Sequence, residues 1–235
     1  VSSVSPDGGP REEGGEERRG SALTPSIQNI ECLLPGDVIL FAVRVGDASA
    51  LTRGIHAGIR RKQMRLGAAR VHARITHVAL YAGGGKIWQS TKAKGVHLSS
   101  IESEIGQFDL SVRRYRADGF DAITDGARVV KHCSSFAGKP YDNTTIALIA
   151  RMKQGDRLRV SGNDSFVCSA LVHVSFASIF EAFRYGDATD RADDFQFLPC
   201  AFSMSTLFED VTLDVLRPAR TPPYRQSPIR QAAKE

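Results

Sequence analysis

Asp164 to Phe180 reads DSFVCSALVHVSFASIF, and the reading of this stretch organises the rest of the chain. Gly162, Asn163, Asp164 and Ser165 are small or polar and lead into an apolar run with helical spacing. Val167, Leu171, Val174 and Ser178 fall roughly one turn apart, and Ala170 and Phe176 broaden the face. The pattern predicts a helix with Cys168 at its start. Unpaired backbone N–H groups and the positive end of the helix dipole favour a thiolate there. Two readings stand from this stretch alone. One is a nucleophile; the other is a buried structural thiol, because free cysteine is among the most buried residue types.

A second stretch bears on that choice. Ile75 to Tyr81 reads ITHVALY, and Gly83, Gly84 and Gly85 follow. A β-branched and aromatic run ended by a glycine turn reads as a strand. His77 interrupts it. Histidine is the usual general base beside a nucleophilic cysteine, and the two need to meet only in space. A strand histidine taken alone is more often a hydrogen-bonded core residue.

Several segments, taken in order, carry a resemblance. They are Leu33-Leu34-Pro35-Gly36-Asp37-Val38-Ile39-Leu40-Phe41 and Thr76-His77-Val78-Ala79-Leu80-Tyr81. Lys86-Ile87-Trp88-Gln89-Ser90 with Gly95-Val96 comes next, then Gly138-Lys139-Pro140-Tyr141-Asp142, then Phe166-Val167-Cys168-Ser169-Ala170-Leu171-Val172. Over residues 31 to 215 this order resembles the permuted papain-like amidases, a circularly permuted branch of the NlpC/P60 superfamily. In that branch histidine precedes cysteine, as it does here.

The resemblance implies an α+β papain-like fold, an antiparallel sheet with the cysteine helix packed against it. It implies a thiol hydrolase of the amidase or peptidase kind, with Cys168 as nucleophile and His77 as base. The family's orienting position, usually Glu, falls on Gln89. Glutamine can accept the histidine's N–H and fix its tautomer, but it supplies no charge to an imidazolium. His97 is the nearest alternative orienting residue, or else an exposed histidine at a strand end. Tyr141 is expected either to line the substrate cleft or to pack beneath the cysteine helix. The expected substrate carries an amide or acyl bond, in a peptide, a peptidoglycan fragment or a lipid. Two alternatives stay open: a lipid acyltransferase or hydrolase on the same residues, and an inactive binding module.

Composition narrows the class. The chain has 235 residues, 42% of them hydrophobic, which suits one domain with extensions. No apolar run reaches the length of a spanning helix. The N-terminus shows no apolar signal-peptide core, although the chain starts with Val, so a removed signal and a secreted or periplasmic location remain among the expectations. Cys32, Cys133, Cys168 and Cys200 form no CxxC pair, so neither a zinc site nor any cofactor is expected, and the other three read as free thiols.

Residues 1–26, rich in Gly, Ser, Glu and Arg, read as a disordered leader. Residues 27–216 form the expected catalytic domain, and 217–235 a flexible basic Pro-rich tail. Pro35-Gly36-Asp37 reads as a turn before a buried strand, VILFAV, with Asp37 bonding the turn backbone. From Ala48 to Ile101 there is no acidic residue, and residues 49–66 predict a basic amphipathic helix. Such a helix suits an anionic surface or is simply solvated. The absence of stacking aromatics argues against nucleic acid.

Ser99 to Gly106 predicts a short helix capped by Ser99 or Ser100, with Glu102 at capping-box distance. Phe108–Arg116 reads as a strand, Asp121–Ala137 and Ile146–Met152 as helices, and 154–162 and 185–194 as loops. Met204–Phe208 is expected as a short helix and Val211–Leu216 as an edge strand.

Overall fold

A computed structural model of the chain describes residues 30–43, 50–105, 108–153, 164–180 and 198–212. The expected leader at 1–26, the loops at 154–162 and 185–194, most of the 211–216 strand and the tail from 217 lie outside the described residues.

The architecture is α+β, built on a six-stranded antiparallel sheet. Its strands are β1 (Val38–Val43), β2 (His77–Gly83), β3 (Lys86–Thr91), β4 (Gly95–Ser100), β5 (Phe108–Tyr115) and β6 (Phe208–Asp210), in the spatial order β4-β3-β2-β1-β5-β6. The helices are α1 (Ala50–Arg65), α2 (Arg70–Ala73), α3 (Glu102–Ile105), α4 (Thr124–Ser134), α5 (Asn143–Arg151) and α6 (Cys168–Ala177). A further single turn spans Ala201–Met204. None of the described helices is long and apolar enough to cross a membrane.

β1 lies inside the sheet and is apolar throughout because both its faces are covered. Val38, Leu40 and Ala42 join Val78 and Leu80 of β2 beneath α4 and α6. Ile39 and Phe41 join Ala79, Tyr81 and Ile87 on the opposite face, with Leu33, Ile101 and Phe108. Asp37 bonds its turn as expected, accepting the Leu34 N–H at 2.9 Å. It does more: Arg114 of β5 forks onto both its carboxylate oxygens, at 2.8 and 2.7 Å. This partly exposed guanidinium satisfies an acid that is 2% exposed.

The basic segment forms α1 as expected, and one buried glutamine ties it down. Gln63 Nε2 donates to Ala73 O and Ile75 O, and Gln63 Oε1 accepts the Cys200 N–H. Three separate stretches of chain are thereby pinned behind the entry to β2.

Three expectations are corrected. Ser99 and Ser100 do not cap α3; they end β4, opposite Ile87 and Lys86, because pairing along β3 carries the strand to Ser100. The predicted helix at Met204–Phe208 lies earlier, at Ala201–Met204, and the edge strand begins at Phe208 rather than Val211, paired to Tyr115. Finally, the buried positions of α6 are Cys168 to Val172, Ser175 and Phe176, while Val174 and Ser178 are only half-buried. The sheet covers this helix on one side and α4 on another, so burial extends well beyond a single stripe.

Candidate active site

The site forms where two neighbouring strands separate. The β2–β3 ladder runs from the glycine turn through Tyr81–Ile87 to Leu80–Trp88, and ends there. Beyond it, the start of α6 takes up hydrogen-bonding groups that a neighbouring strand would otherwise use. The Val78 N–H donates to the Cys168 sulfur. Ser90 of β3 turns its hydroxyl to Phe166 O at 2.6 Å, just before the helix.

A chain of backbone bonds fixes the helix start. Gly138 N–H donates to Val96 O at 2.9 Å, and Val96 N–H to Lys139 O at 2.8 Å. Phe166 N–H then donates to Pro140 O, and Asp142 N–H to Phe166 O, making a short parallel bridge between Tyr141 and Phe166. Gly95 makes the close approach possible: with φ at 63°, a Cβ there would stand 2.2 Å from Lys139 O. Asp142 then caps α5, accepting the Thr145 N–H at 2.8 Å. Three of the segments quoted above, Gly95-Val96, Gly138–Asp142 and Phe166–Val172, thus meet beside Cys168.

Cys168 is the first residue of α6 and is buried. Its sulfur is hydrogen-bonded to His77 and accepts the backbone N–H groups of Val78 and Ser169. Burial is the largest influence on the thiol and pushes its pKa up. The His77 charge, the His77 hydrogen bond and the two N–H groups together reverse that, and the net pKa is lowered.

His77 stands at the first position of β2, paired with Phe41, whose ring centroid is 5.3 Å from its own. Its Nε2 meets Gln89 Oε1 at 2.7 Å. The amide oxygen can only accept, so Nε2 carries a proton and Nδ1 is left for the cysteine. Burial would lower the imidazole's pKa. The Cys168 charge and hydrogen bond, the Gln89 hydrogen bond and the Glu104 charge outweigh it, and the net pKa is raised. The sequence-predicted trio of Cys168, His77 and Gln89 is therefore brought together.

Tyr141 is half-buried, packs against the core cluster that includes Cys168 and Leu171, and is within reach of the Cys168 charge. Its hydroxyl is held well above the usual phenol range, first by burial and then by the negative charges of Cys168 and Asp142. It stays a protonated donor. His97 faces away from an orienting role: its Nδ1 bonds Gly95 O at 2.9 Å.

Three neighbours were missed in the sequence. Gln89 Nε2 donates to Ser99 Oγ at 2.8 Å and to Glu104 Oε1 at 3.0 Å. His56, on α1, bonds Thr76 Oγ1 through Nδ1, directly before His77. Burial first, and then the His77 charge, pushes His56 down to about 4, so it is neutral at neutral pH. No local signal marks His56, because the burial of Gln63 seven residues on, on the same side of α1, shows only in the structure. Among the described residues, no cluster of three or more His, Cys, Asp or Glu side chains could hold a metal ion.

No protein-family model matches the chain, and a search of curated proteins finds no significant match.

Proposed function

We propose that the chain is a cysteine-dependent acyl-transfer enzyme, a thiol hydrolase of amide or related acyl bonds, with the fold of the permuted papain-like amidases. One observation carries this reading: Cys168, at a helix start, is hydrogen-bonded to a histidine that a second side chain orients. A structural thiol needs neither partner.

In the proposed reaction the Cys168 thiolate attacks a carbonyl carbon, forming the C–S bond and moving the π electrons onto oxygen. The backbone N–H of Cys168 or its neighbour helps hold that oxyanion. Collapse expels the amine, which takes its proton from the His77 imidazolium. Neutral His77 then removes a proton from water, hydroxide adds to the thioester, and a carboxylic acid leaves as the thiolate returns.

A second reading, transfer of lipid acyl groups on the same residues, has its own support. Ile55 and Met64 on α1 and Val71 on α2 are exposed among Arg60, Arg61, Arg65 and Arg70. Such a surface suits an anionic lipid head group, and α1 reaches the site through His56.

The test is intact-mass analysis after exposure to peptides, peptidoglycan stem peptides and fatty-acyl esters, with mapping of any adduct. An acyl adduct on Cys168, released by water, supports the hydrolase; release only by an added amine supports the transferase. No adduct with any member of the panel, in a chain whose Cys168 also resists alkylation, contradicts both and leaves a binding module.

A further inference from the structure

Gln89 is neutral, yet the proposed reaction forms a cation on His77. The negative charge lies one hydrogen bond further back. The Gln89 amide is fully committed: Oε1 to His77 Nε2 at 2.7 Å, and Nε2 to Ser99 Oγ at 2.8 Å and Glu104 Oε1 at 3.0 Å. Turning the amide over would set its oxygen against the Glu104 carboxylate and its N–H groups against the histidine's N–H. Both contacts would be repulsive. Glu104 therefore decides which end of Gln89 meets His77.

The backbone that carries Glu104 is itself held in place. Ile101, fully buried, donates its N–H to Gly85 O at 2.9 Å and accepts the Glu104 N–H at 3.0 Å. The first turn of α3 is anchored there to the β2–β3 turn. The titratable groups facing His77 are Cys168 from α6, Glu104 from α3 and His56 from α1. His56 is neutral, so Glu104 is the anion available to balance His77 on the side away from the sulfur.

We propose that Glu104 is a positioning residue that orients Gln89 and, through it, supplies the charge that keeps His77 an imidazolium beside the Cys168 thiolate. Gln89 relays; Glu104 carries the charge that the residue next to the histidine lacks. A hydrogen-bond chain of this kind is polarised along its length in a low-dielectric site. The inference rests on the Cys168–His77 reading.

The experiment is the titration of His77, followed by NMR of chain labelled with ¹⁵N-histidine, together with the pH dependence of Cys168 alkylation. Glu104→Gln keeps an acceptor for Gln89 and removes only the charge. It should lower the His77 pKa by about one pH unit, because an anion favours the charged imidazole. The double variant Gln89→Glu with Glu104→Gln moves the charge next to the histidine and should restore or exceed the wild-type value. Ser99→Ala removes the other partner of Gln89 without changing charge and should leave the titration within about 0.3 units. The proposal is overturned if Glu104→Gln leaves His77 unmoved, if the double variant does not restore it, or if Ser99→Ala shifts it equally. If His77 and Cys168 do not titrate as a pair in the wild type, the nucleophile reading fails instead.

Discussion

Two cysteines lie along α6, both buried, and their chemistry is opposite. At the first turn, Cys168 meets a histidine and two backbone N–H groups, and its pKa is lowered. Two turns on, Cys133 of α4 packs against the same helix beside Ser175, and burial pushes its thiol up to about 12. One serine hydrogen bond does not offset the loss of water there. Burial alone therefore does not separate these two thiols. What distinguishes them is whether the fold leaves donors and a cation free to meet the sulfur. Here the fold does so by ending the β2–β3 ladder at Leu80–Trp88 and setting a helix start in the opening.

The sharpest way to break this contrast is to remove the sulfur. Cys168→Ser should lower turnover of any substrate found in the adduct screen by at least about 1000-fold, measured as kcat/KM. Removing the cation comes next. In His77→Ala the thiol should return toward the free value, so alkylation of Cys168 on the acid side of that value should fall by more than about tenfold. Cys133 and Cys200, which have no such partner, should not respond; mass spectrometry of each modified cysteine checks this.

A smaller effect is expected from Gln89→Leu. Losing the hydrogen bond to the histidine, and with it the link to Glu104, should slow turnover by at least about tenfold, with KM little changed. Smallest of all is Cys133→Ala. It should leave Cys168 reactivity within about twofold and cost about 1 kcal/mol of stability, read from denaturant midpoints. A comparable loss of reactivity in Cys133→Ala would mean that the two thiols are not independent.

Local signals carried much of the fold. VILFAV, the ITHVALY strand with its glycine turn, and the basic run before it show their elements in hydrophobic period and breakers. Cys168 at a helix start is legible because small polar residues precede an apolar run. What stayed hidden depends on pairing between segments. Ser99 reads as a cap until β4 is seen opposite β3, where its hydroxyl instead receives Gln89. Glu104 lies 15 residues from Gln89, on a helix too short for any periodic signal. Phe208 looks helical beside Met204, but Tyr115 offers it an open strand edge. The resembled family usually has Glu where Gln89 stands, and nothing in local sequence says that Glu104 lies one hydrogen bond behind that glutamine.

The most direct measurement is the pH dependence of alkylation by iodoacetamide at each cysteine of the wild-type chain, resolved by mass spectrometry. The lowered pKa of Cys168 means that its thiolate persists on the acid side of the ordinary thiol value, about 8.5, and disappears only as pH falls through the lowered value. Cys133 and Cys200, each pushed up to about 12, should remain unreactive thiols over the same range. The account predicts that Cys168 modification sets in at lower pH than an ordinary thiol's, with the other buried thiols silent. Cys168 modification that rises only above pH 8.5, or that tracks Cys133, would contradict it.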